Sequence, residues 1–448
     1  MTHLSTQDAT LLRMDSPRAP QHIGVLLVFR CPPGATVDFT SQLAGRLRAR
    51  RFMPFPFDRR LGRAPLRRAR PVWTDCESDP NYHVRQSAVP GPGSDNELHA
   101  LVARLHAQPL DFSRPLWECH VIEGLQASRF ALYLKVHHCA ADGLGLMSII
   151  KYLLSDSAED RALGTENDRR ASRGVRSDFV SAESMPRRLH REIRTWKDLA
   201  ACVREIADDD DNMLRVAMQT PRTRFNVRIG AHRRIATLIL ETSRLKAVGA
   251  RDSATINDVI VALVATALRR YLDHHGALPD SSLTASIPVA LPREAVTGSN
   301  AVGGFTTTLA TDEPTHRARL RKIAQGTARA KAQLQKAPAA ALVKIGALGL
   351  MPMMIGQRSG FLDKVRPFFN LAISNMVLSK APLYLGGAEL EAVHPFSVLF
   401  DGNALNVTVI GYRDSVFFGF TACRDVVPDL AIVADLTGTS LALLEGES

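Results

Sequence analysis

The sequence has few cysteines for its length, and they are not arranged as a disulfide framework or a metal site. Only six occur in 448 residues, and none of them forms a closely spaced pair of the kind that binds zinc. We therefore expect free thiols in a reducing cytoplasm and no metal centre. The six are Cys31, Cys76, Cys119, Cys139, Cys202 and Cys423.

The sequence also lacks a secretory signal and an apolar run long enough to span a bilayer. The amino terminus shows no positively charged stretch followed by an apolar segment and a cleavage site. The longest apolar stretch, residues 339–355, is interrupted by Lys344 and Pro352 and is shorter than the roughly 20 residues that a spanning helix needs. This stretch is either a buried helix or a helix that lies on a lipid surface.

Aromatic residues make up only 6% of the chain, and negative charge does not balance positive charge. The formal net charge is +11, and much of the excess lies in residues 46–70, where arginines alternate with phenylalanine and proline. Such a cluster attracts an anionic membrane or the phosphates of a ligand, and it is equally consistent with a solvated surface. The prolines and the lack of a recognised nucleic-acid motif argue against a nucleic-acid partner.

The most informative segment is an apolar stretch that ends in two histidines. Residues 129–136 read Arg-Phe-Ala-Leu-Tyr-Leu-Lys-Val, which is typical of a buried β-strand. His137 and His138 follow, and Asp142 and Gly143 come shortly after them. An imidazole can take up and return a proton at neutral pH, so a histidine here can act as a general base. Paired histidines at a strand end can equally cap backbone groups, and residue type alone leaves both roles open.

The string resembles the His-His-x-x-x-Asp-Gly motif of the CoA-dependent acyltransferase superfamily. The rest of the chain is similar to the bacterial wax ester synthase/diacylglycerol acyltransferase (WS/DGAT) family, because further family-like segments occur in family order over nearly its whole length. These segments are Leu4–Ala9, Pro71–Trp73, Tyr82–Arg85, Pro109–Glu118, Asn257–Val259, Asn370–Asn375, Pro382–Leu385, Leu399–Gly402 and Leu405–Thr408.

The resemblance implies a role for each residue of the motif. His138 would be the catalytic base, and Asp142 would organise the catalytic site, often by pairing with an arginine. His137 would support the corner, and Gly143 would permit a backbone conformation that is closed to larger residues. Cys139 is a conceivable nucleophile, but it occupies a variable position of the family motif and no separate Cys/His signature supports it.

Polar residues elsewhere are further candidates. Asn257 and Asp258 follow Thr255, a good N-cap, so their place in the first turn of a helix has a complete structural explanation. The resemblance nevertheless places them in the active-site region as supporting residues, where Asn257 would orient an acyl carbonyl or the acceptor hydroxyl. Ser374 and Asn375 are expected to bind substrate and, with Asn257, are the motif-matched candidates to stabilise an oxyanion.

Two further features bear on substrate binding. Trp117 is expected to lie near the substrate channel, where it packs or contacts substrate. Residues 376–379 read Met-Val-Leu-Ser, whereas many relatives have Val-Pro-Gly-Pro after the Ser-Asn pair. This departure leaves substrate preference and the level of activity open.

The chain is longer than a single hydrophobic core supports, so we predict two domains. The N-terminal domain would span residues 1–155 and the C-terminal domain residues 226–448, with a charged linker and crossover helix at 156–225. The resemblance implies an α/β fold of two chloramphenicol-acetyltransferase-like domains with mixed sheets and a substrate channel between them. Helices are predicted at 96–106, 186–206 and 256–271, and strands at 117–123, 130–136, 235–240, 283–289, 304–309, 371–374, 405–410 and 416–421.

The implied activity is transfer of a long-chain acyl group from acyl-CoA, as co-substrate, to an alcohol. Diacylglycerol is the first expected acceptor and a fatty alcohol the second, and no cofactor is expected. An acyltransferase for a polyketide, sugar or carrier-bound acceptor, and a non-catalytic lipid-binding homologue, are the alternatives. We expect a cytoplasmic protein, with peripheral contact to the inner membrane or lipid droplets as a further possibility.

Overall fold

The predicted helix at 186–206 and the apolar stretch at 339–355 lie outside the residues that the computed structural model describes. Within the described ranges, no helix is both long and apolar enough to cross a bilayer. The described residues are 2–49, 54–62, 71–77, 79–160, 213–290, 302–336 and 366–447.

Helices flank the strands along the described chain, and most of them begin after a capping side chain or an extended residue. They are α1 (Thr6–Met14), α2 (Phe39–Ala49), α3 (Pro80–His83), α4 (Asp95–Ala107), α5 (Gly143–Leu153), α6 (Met213–Met218), α7 (Thr242–Arg251), α8 (Ile256–His274), α9 (His316–Lys336) and α10 (Leu430–Gly446).

The strands form two large sheets and one small sheet. They are β1 (Thr2–His3), β2 (His22–Arg30), β3 (Arg59–Gly62), β4 (Val72–Asp75), β5 (Val84–Ala88), β6 (Trp117–Leu125), β7 (Arg129–His137), β8 (Arg233–Glu241), β9 (Thr284–Ala290), β10 (Val302–Thr308), β11 (Leu371–Ser379), β12 (Tyr384–Leu385), β13 (Ala388–Phe396), β14 (Leu405–Tyr412) and β15 (Ser415–Cys423).

Both large sheets are mixed, which confirms the predicted α/β class. The first sheet has the order β12-β13-β2-β7-β6-β5, and its only parallel pair among the described strands is β5 with β6. The second has the order β10-β9-β11-β14-β15-β8, in which β11 runs parallel to both of its neighbours. The strands β1, β4 and β3 form a small third sheet that is not hydrogen-bonded to these two.

The helices predicted at 96–106 and 256–271 and all the predicted strands are present, each with slightly different ends. The structure also contains two long strands that the sequence did not predict, β2 and β13. The strand β2 lies at the middle of the first sheet, and its first eight residues are buried. It lacks the alternation of apolar and polar residues that identifies a half-exposed strand, because both of its faces are covered.

The strand β13 comes from the second half of the chain but belongs to the first sheet. Its residues belong to the predicted C-terminal domain, 226–448, but it pairs with β2 in the first sheet, with Val393 opposite Leu27. The same holds for β12, which pairs with β13. Position along the chain therefore does not separate the two sheets, because a strand from the second half crosses over to extend the first.

The crossing strand packs closely on the second sheet at one glycine. A Cβ atom at Gly419 of β15 would overlap the backbone carbonyl oxygen of Pro395 in β13. The obstacle is backbone held in a sheet, so it cannot move aside as a flexible side chain could. Only glycine allows this approach, and the contact fixes how the two sheets sit against each other.

A charged pair is buried in the first sheet next to the motif. Lys135 is fully buried, and its ammonium group contacts Glu118 at 3.1 Å and donates to the carbonyls of Leu105 (3.1 Å) and Gln108 (2.9 Å). Burial alone would raise the pKa of Glu118, but the hydrogen bond with His120 and the charges of Lys135 and Arg85 outweigh it and lower the pKa to about 2. The pair therefore ties β7 to β6 and to the end of α4.

We expect Gly419→Ala to destabilise the protein by about 3 kcal/mol, because the added methyl group overlaps fixed backbone. Gly45→Ala is the matched control, since Gly45 lies in α2 and a Cβ there meets no atom within 4 Å. That control should gain about 0.5–1 kcal/mol from better helix propensity. Urea unfolding followed by circular dichroism measures both, and equal stabilities would contradict the close contact.

We expect Lys135→Met to cost about 3 kcal/mol, since it leaves Glu118 buried without its nearest cation. The double variant Lys135→Met/Glu118→Leu should recover most of that loss, because it removes both charges. The Glu118 pKa is lower in the folded protein, so its contribution to stability is present above about pH 4.5 and is lost as the pH falls towards 2. Urea titrations at several pH values test this, and Glu118→Gln should flatten the acid side of the stability curve.

Candidate active site

The two histidines lie at a corner between a strand and a helix. The strand β7 ends at His137, and the chain turns through hydrogen bonds from the N–H groups of Ala140 (2.9 Å) and Ala141 (3.4 Å) to the His137 carbonyl. The helix α5 then starts at Gly143. We call residues 137–143 the catalytic corner. Its backbone is held within the turn, so its side chains occupy defined positions.

His137 is buried and held on both ring nitrogens. Its Nδ1 accepts a hydrogen bond from the Cys139 N–H (3.1 Å), so its Nε2 carries the hydrogen and donates it to Asp15 Oδ2 (3.3 Å). The exposed fraction of His137 is only 1%. Asp15 is itself fixed, since the same oxygen accepts from the Gln21 N–H at 2.7 Å. This arrangement suits a residue that supports the corner.

The sequence did not point to Asp15 as a site residue. It lies 122 positions before His137 and follows α1 in a loop with no pattern of its own. Phe112 was missed for the same reason, and its ring packs edge-on against His137 with centroids 5.5 Å apart. Only the fold brings these residues together.

His138 differs from His137 in its access to solvent. Its side chain is partly exposed, while its backbone N–H donates to the Gln21 carbonyl at 2.8 Å. The backbone is thus held by the segment before β2, and part of the residue's surface is exposed to solvent. Of the two histidines, only His138 combines a fixed backbone with an accessible ring.

Asp142 is fully buried and caps α5. Its side chain accepts a hydrogen bond from the Gly145 N–H at 2.8 Å, as an N-cap residue does. The carboxylate also lies at the positive end of the helix dipole, where negative charge is favoured. Its geometry is that of a residue that holds the corner in shape.

The explanation predicted for Gly143 is wrong, because its backbone does not adopt the left-handed conformation that favours glycine. The glycine instead leaves space that a neighbouring side chain occupies. A Cβ atom at Gly143 would lie 2.5 Å from Sδ and 3.3 Å from Cε of Met376 in β11. The missing side chain lets a strand of the second sheet approach the catalytic corner.

Cys139 does not have the properties of a nucleophile. It is fully buried, and burial together with the nearby Asp8 and Asp15 carboxylates raises the pKa of its thiol well above the ordinary value. A thiol of that kind carries almost no thiolate at neutral pH. Its N–H, not its sulfur, contributes to the corner.

Ser374 and Asn375 lie on β11, directly before Met376. They pair with Thr408 and Val409 of the parallel strand β14, so their backbone positions are fixed by the sheet. Asn375 is exposed and Ser374 is partly exposed. Side chains alternate between the two faces of a strand, so Ser374 lies on the face of β11 that carries Met376, and Asn375 lies on the opposite face.

Asn257 and Asp258 lie in the first turn of α8. Asp258 is buried and forms a capping box with Thr255, and its second oxygen accepts from Thr327 Oγ1 at 2.5 Å. All of these bonds are structural, so Asp258 supports the helix start. Asn257 lies beside it and is partly exposed.

Trp117 is a core residue in this structure. Its exposed fraction is 5%, its indole N–H donates to the Phe57 carbonyl at 3.0 Å, and its ring stacks on His83 with centroids 4.5 Å apart. Both its polar and its apolar surface are thus occupied by the protein. The contacts support packing, and they give no support to a role in binding substrate.

Comparisons with known proteins agree with this geometry. Residues 4–260 match the model of the wax ester synthase/diacylglycerol acyltransferase catalytic domain, and residues 298–445 match that of the WS/DGAT C-terminal domain. Putative diacylglycerol O-acyltransferases of Mycobacterium bovis and Mycobacterium tuberculosis are each 42% identical over 99% of both chains.

Solved structures extend the comparison to the fold. The wax ester synthase/diacylglycerol acyltransferase of Marinobacter aquaeolei is 32% identical over 99% of both chains, with a TM-score of 0.77. The first condensation domain of the CDA synthetase is 17% identical with a TM-score of 0.60, over 100% of this chain and 99% of that one, and is similar in fold alone. The catalytic corner and these matches along the whole chain show that the protein belongs to the wax ester synthase/diacylglycerol acyltransferase family.

Proposed function

We propose that the protein transfers a long-chain acyl group from acyl-CoA to an alcohol, with diacylglycerol as the main acceptor and a fatty alcohol as the second. The observation that carries this proposal is the accessible His138 in a corner whose other groups are locked. Membership of the family and the names of the mycobacterial relatives support the choice of diacylglycerol.

In the proposed reaction His138 is the general base. It removes the proton of the acceptor hydroxyl while the oxygen attacks the thioester carbon, so a C–O bond forms as the C–S bond breaks. The proton then passes from His138 to the departing CoA thiolate. No acyl-enzyme is required, which agrees with a Cys139 thiol whose pKa is raised by burial.

The other residues of the corner hold His138 in position and do not react themselves. Asp142 fixes the start of α5, and His137 with Asp15 fixes the turn from which His138 projects. The negative charge that develops on the thioester oxygen needs a preorganised donor. Ser374 is favoured for that role because it lies on the face of β11 that carries Met376, and Asn375 and Asn257 are the remaining candidates.

The proposed site of action is the cytoplasmic surface of the inner membrane or of lipid droplets, where diacylglycerol and fatty alcohols are concentrated. Support comes from apolar side chains that are exposed next to the corner. Leu144 follows Gly143 directly and is 39% exposed, and Val377 follows Met376 and is 67% exposed. Exposed apolar groups beside a site for lipid substrates favour contact with a lipid surface.

Release of CoA tests the proposed activity and its acceptor. Purified protein is mixed with palmitoyl-CoA and with diacylglycerol, a fatty alcohol or no acceptor. We expect the fastest release with diacylglycerol, slower release with the fatty alcohol and little without acceptor. Release with neither alcohol would contradict the proposal and favour either a polyketide, sugar or carrier-bound acceptor or a lipid-binding protein without turnover.

His138→Ala is expected to lower turnover by about 10²- to 10⁴-fold, because it removes the general base. Circular dichroism should show an unchanged fold, since the side chain is partly exposed. Cys139→Ala is the neighbouring control and should keep turnover within a few-fold of the original protein. A His138 variant with full turnover, or a Cys139 variant without any, would overturn the assignment.

Asp142→Ala is expected to lower both stability and turnover, in contrast to the His138 variant. Loss of an N-cap costs about 1 kcal/mol, and here it also frees the corner. Urea unfolding and CoA release measure the two effects on the same preparation. Asp142→Asn, which keeps a capping oxygen, should retain more stability than Asp142→Ala, and an equal loss in both variants would speak against the capping role.

A further inference from the structure

Met376 is the point at which the second sheet meets the catalytic corner. Its sulfur occupies the space that a side chain at Gly143 would need, with Sδ and Cε at 2.5 and 3.3 Å from the position of a Cβ atom. Gly143 is the first residue of α5 and follows Asp142 directly. The thioether therefore lies against the same short segment that carries His138.

The backbone on each side of this contact is fixed. Met376 pairs with Ile410 of β14, and the ladder between the two strands continues on both sides of that pair. On the other side, Asp142 holds the start of α5 through the Gly145 N–H. The unbranched thioether is thus the adjustable element between two rigid ones, and methionine is suited to that because it has several rotatable bonds.

The surroundings of the thioether suit a hydrocarbon chain. Met376 is partly exposed and packs against the apolar core of the first sheet. Leu144, next to Gly143, is 39% exposed. An aliphatic chain that approaches the corner from this side meets the apolar side chains of Met376 and Leu144.

We propose that Met376 sets the width of the substrate passage at the catalytic corner and selects chains that are unbranched beside the reacting atoms. The inference rests on the acyl transfer proposed above. Both substrates of that reaction are aliphatic, so the selected chain belongs either to the acyl group or to the alcohol. A methyl branch next to the reacting carbon would need the space that Met376 fills.

The test compares branched and unbranched substrates in the original protein and in Met376→Ala. One arm uses palmitoyl-CoA and its analogue with a methyl group on the carbon next to the thioester, each with primary hexadecanol. The other arm uses primary and secondary hexadecanol, each with palmitoyl-CoA. The readout is the ratio of kcat/KM for the branched to that for the unbranched substrate.

We expect Met376→Ala to raise this ratio by about tenfold in one of the two arms, since one methyl group in an apolar site changes kcat/KM by about 10- to 200-fold. The arm that responds identifies the chain that passes Met376. Met218→Ala is the matched control, because Met218 is 60% exposed in α6, and its ratios should equal those of the original protein. Ratios unchanged in both arms of Met376→Ala would overturn the proposal.

A second pair of variants keeps the proposal testable if Met376→Ala unfolds. Gly143→Ala should lower turnover with every substrate, because its methyl group displaces the thioether. Gly143→Ala/Met376→Ala should regain at least about tenfold of that turnover, since the alanine then enters the vacated space. A double variant no more active than Gly143→Ala would overturn the contact. Failure of the original protein to turn over any unbranched substrate would instead refute the acyltransferase proposal itself.

Discussion

Three hydrogen bonds hold the catalytic corner in place, two between the segment before β2 and the end of β7 and one within that segment. His137 donates to Asp15, the Gln21 N–H donates to the same carboxylate oxygen, and the Gln21 carbonyl accepts from the His138 N–H. The strand β2 pairs with β7 along its whole length, and the last pair is His22 with His137. The three hydrogen bonds hold the chain at and just beyond that pair, where the ladder of the sheet ends. His137 therefore has a structural role in the corner, and the partly exposed His138 is the proposed base.

A buried ion pair in the first sheet also holds β7 in position close to the corner. Lys135 lies two residues before His137 on the same face of β7, and it faces Glu118 across the β6 pairing. Buried charges of this kind seldom add net stability compared with a well-packed apolar pair, but they are strongly unfavourable when one partner is displaced. Any register of β7 other than the observed one would separate these charges and therefore be less stable. A shift by one residue would move His137 and Lys135 to the opposite face together.

Local sequence patterns predicted most strands and two of the main helices, because periodicity and capping depend on near neighbours, whereas the α/β class was predicted from the family resemblance. The Thr255–Asp258 capping box is an example, since residues three apart define it and the structure shows both of its bonds. The pattern could not reveal Asp15 beside His137, since only the pairing of β2 with β7 brings together residues so distant in sequence. It also missed β2, whose apolar run is covered on both faces, and β13, which combines two glutamates, a histidine and a proline with apolar residues. Glycine at position 143 was predicted to serve an unusual backbone conformation. The structure instead shows that its missing side chain leaves room for Met376, a contact that no local pattern reveals.

The position of Met376 depends in turn on how the two sheets are joined. The catalytic corner belongs to the first sheet and β11 to the second, so a shift between the sheets would change the distance between Gly143 and the thioether. The strand β13 opposes such a shift, because it pairs with β2 while its Pro395 carbonyl lies against Gly419 of the second sheet. That contact tolerates no side chain, whereas the contact at Gly143 is filled by a flexible one. The fold thus places a rigid contact between its sheets at Gly419 and an adjustable one at Gly143, and the adjustable contact lies in the corner whose His138 is the proposed base.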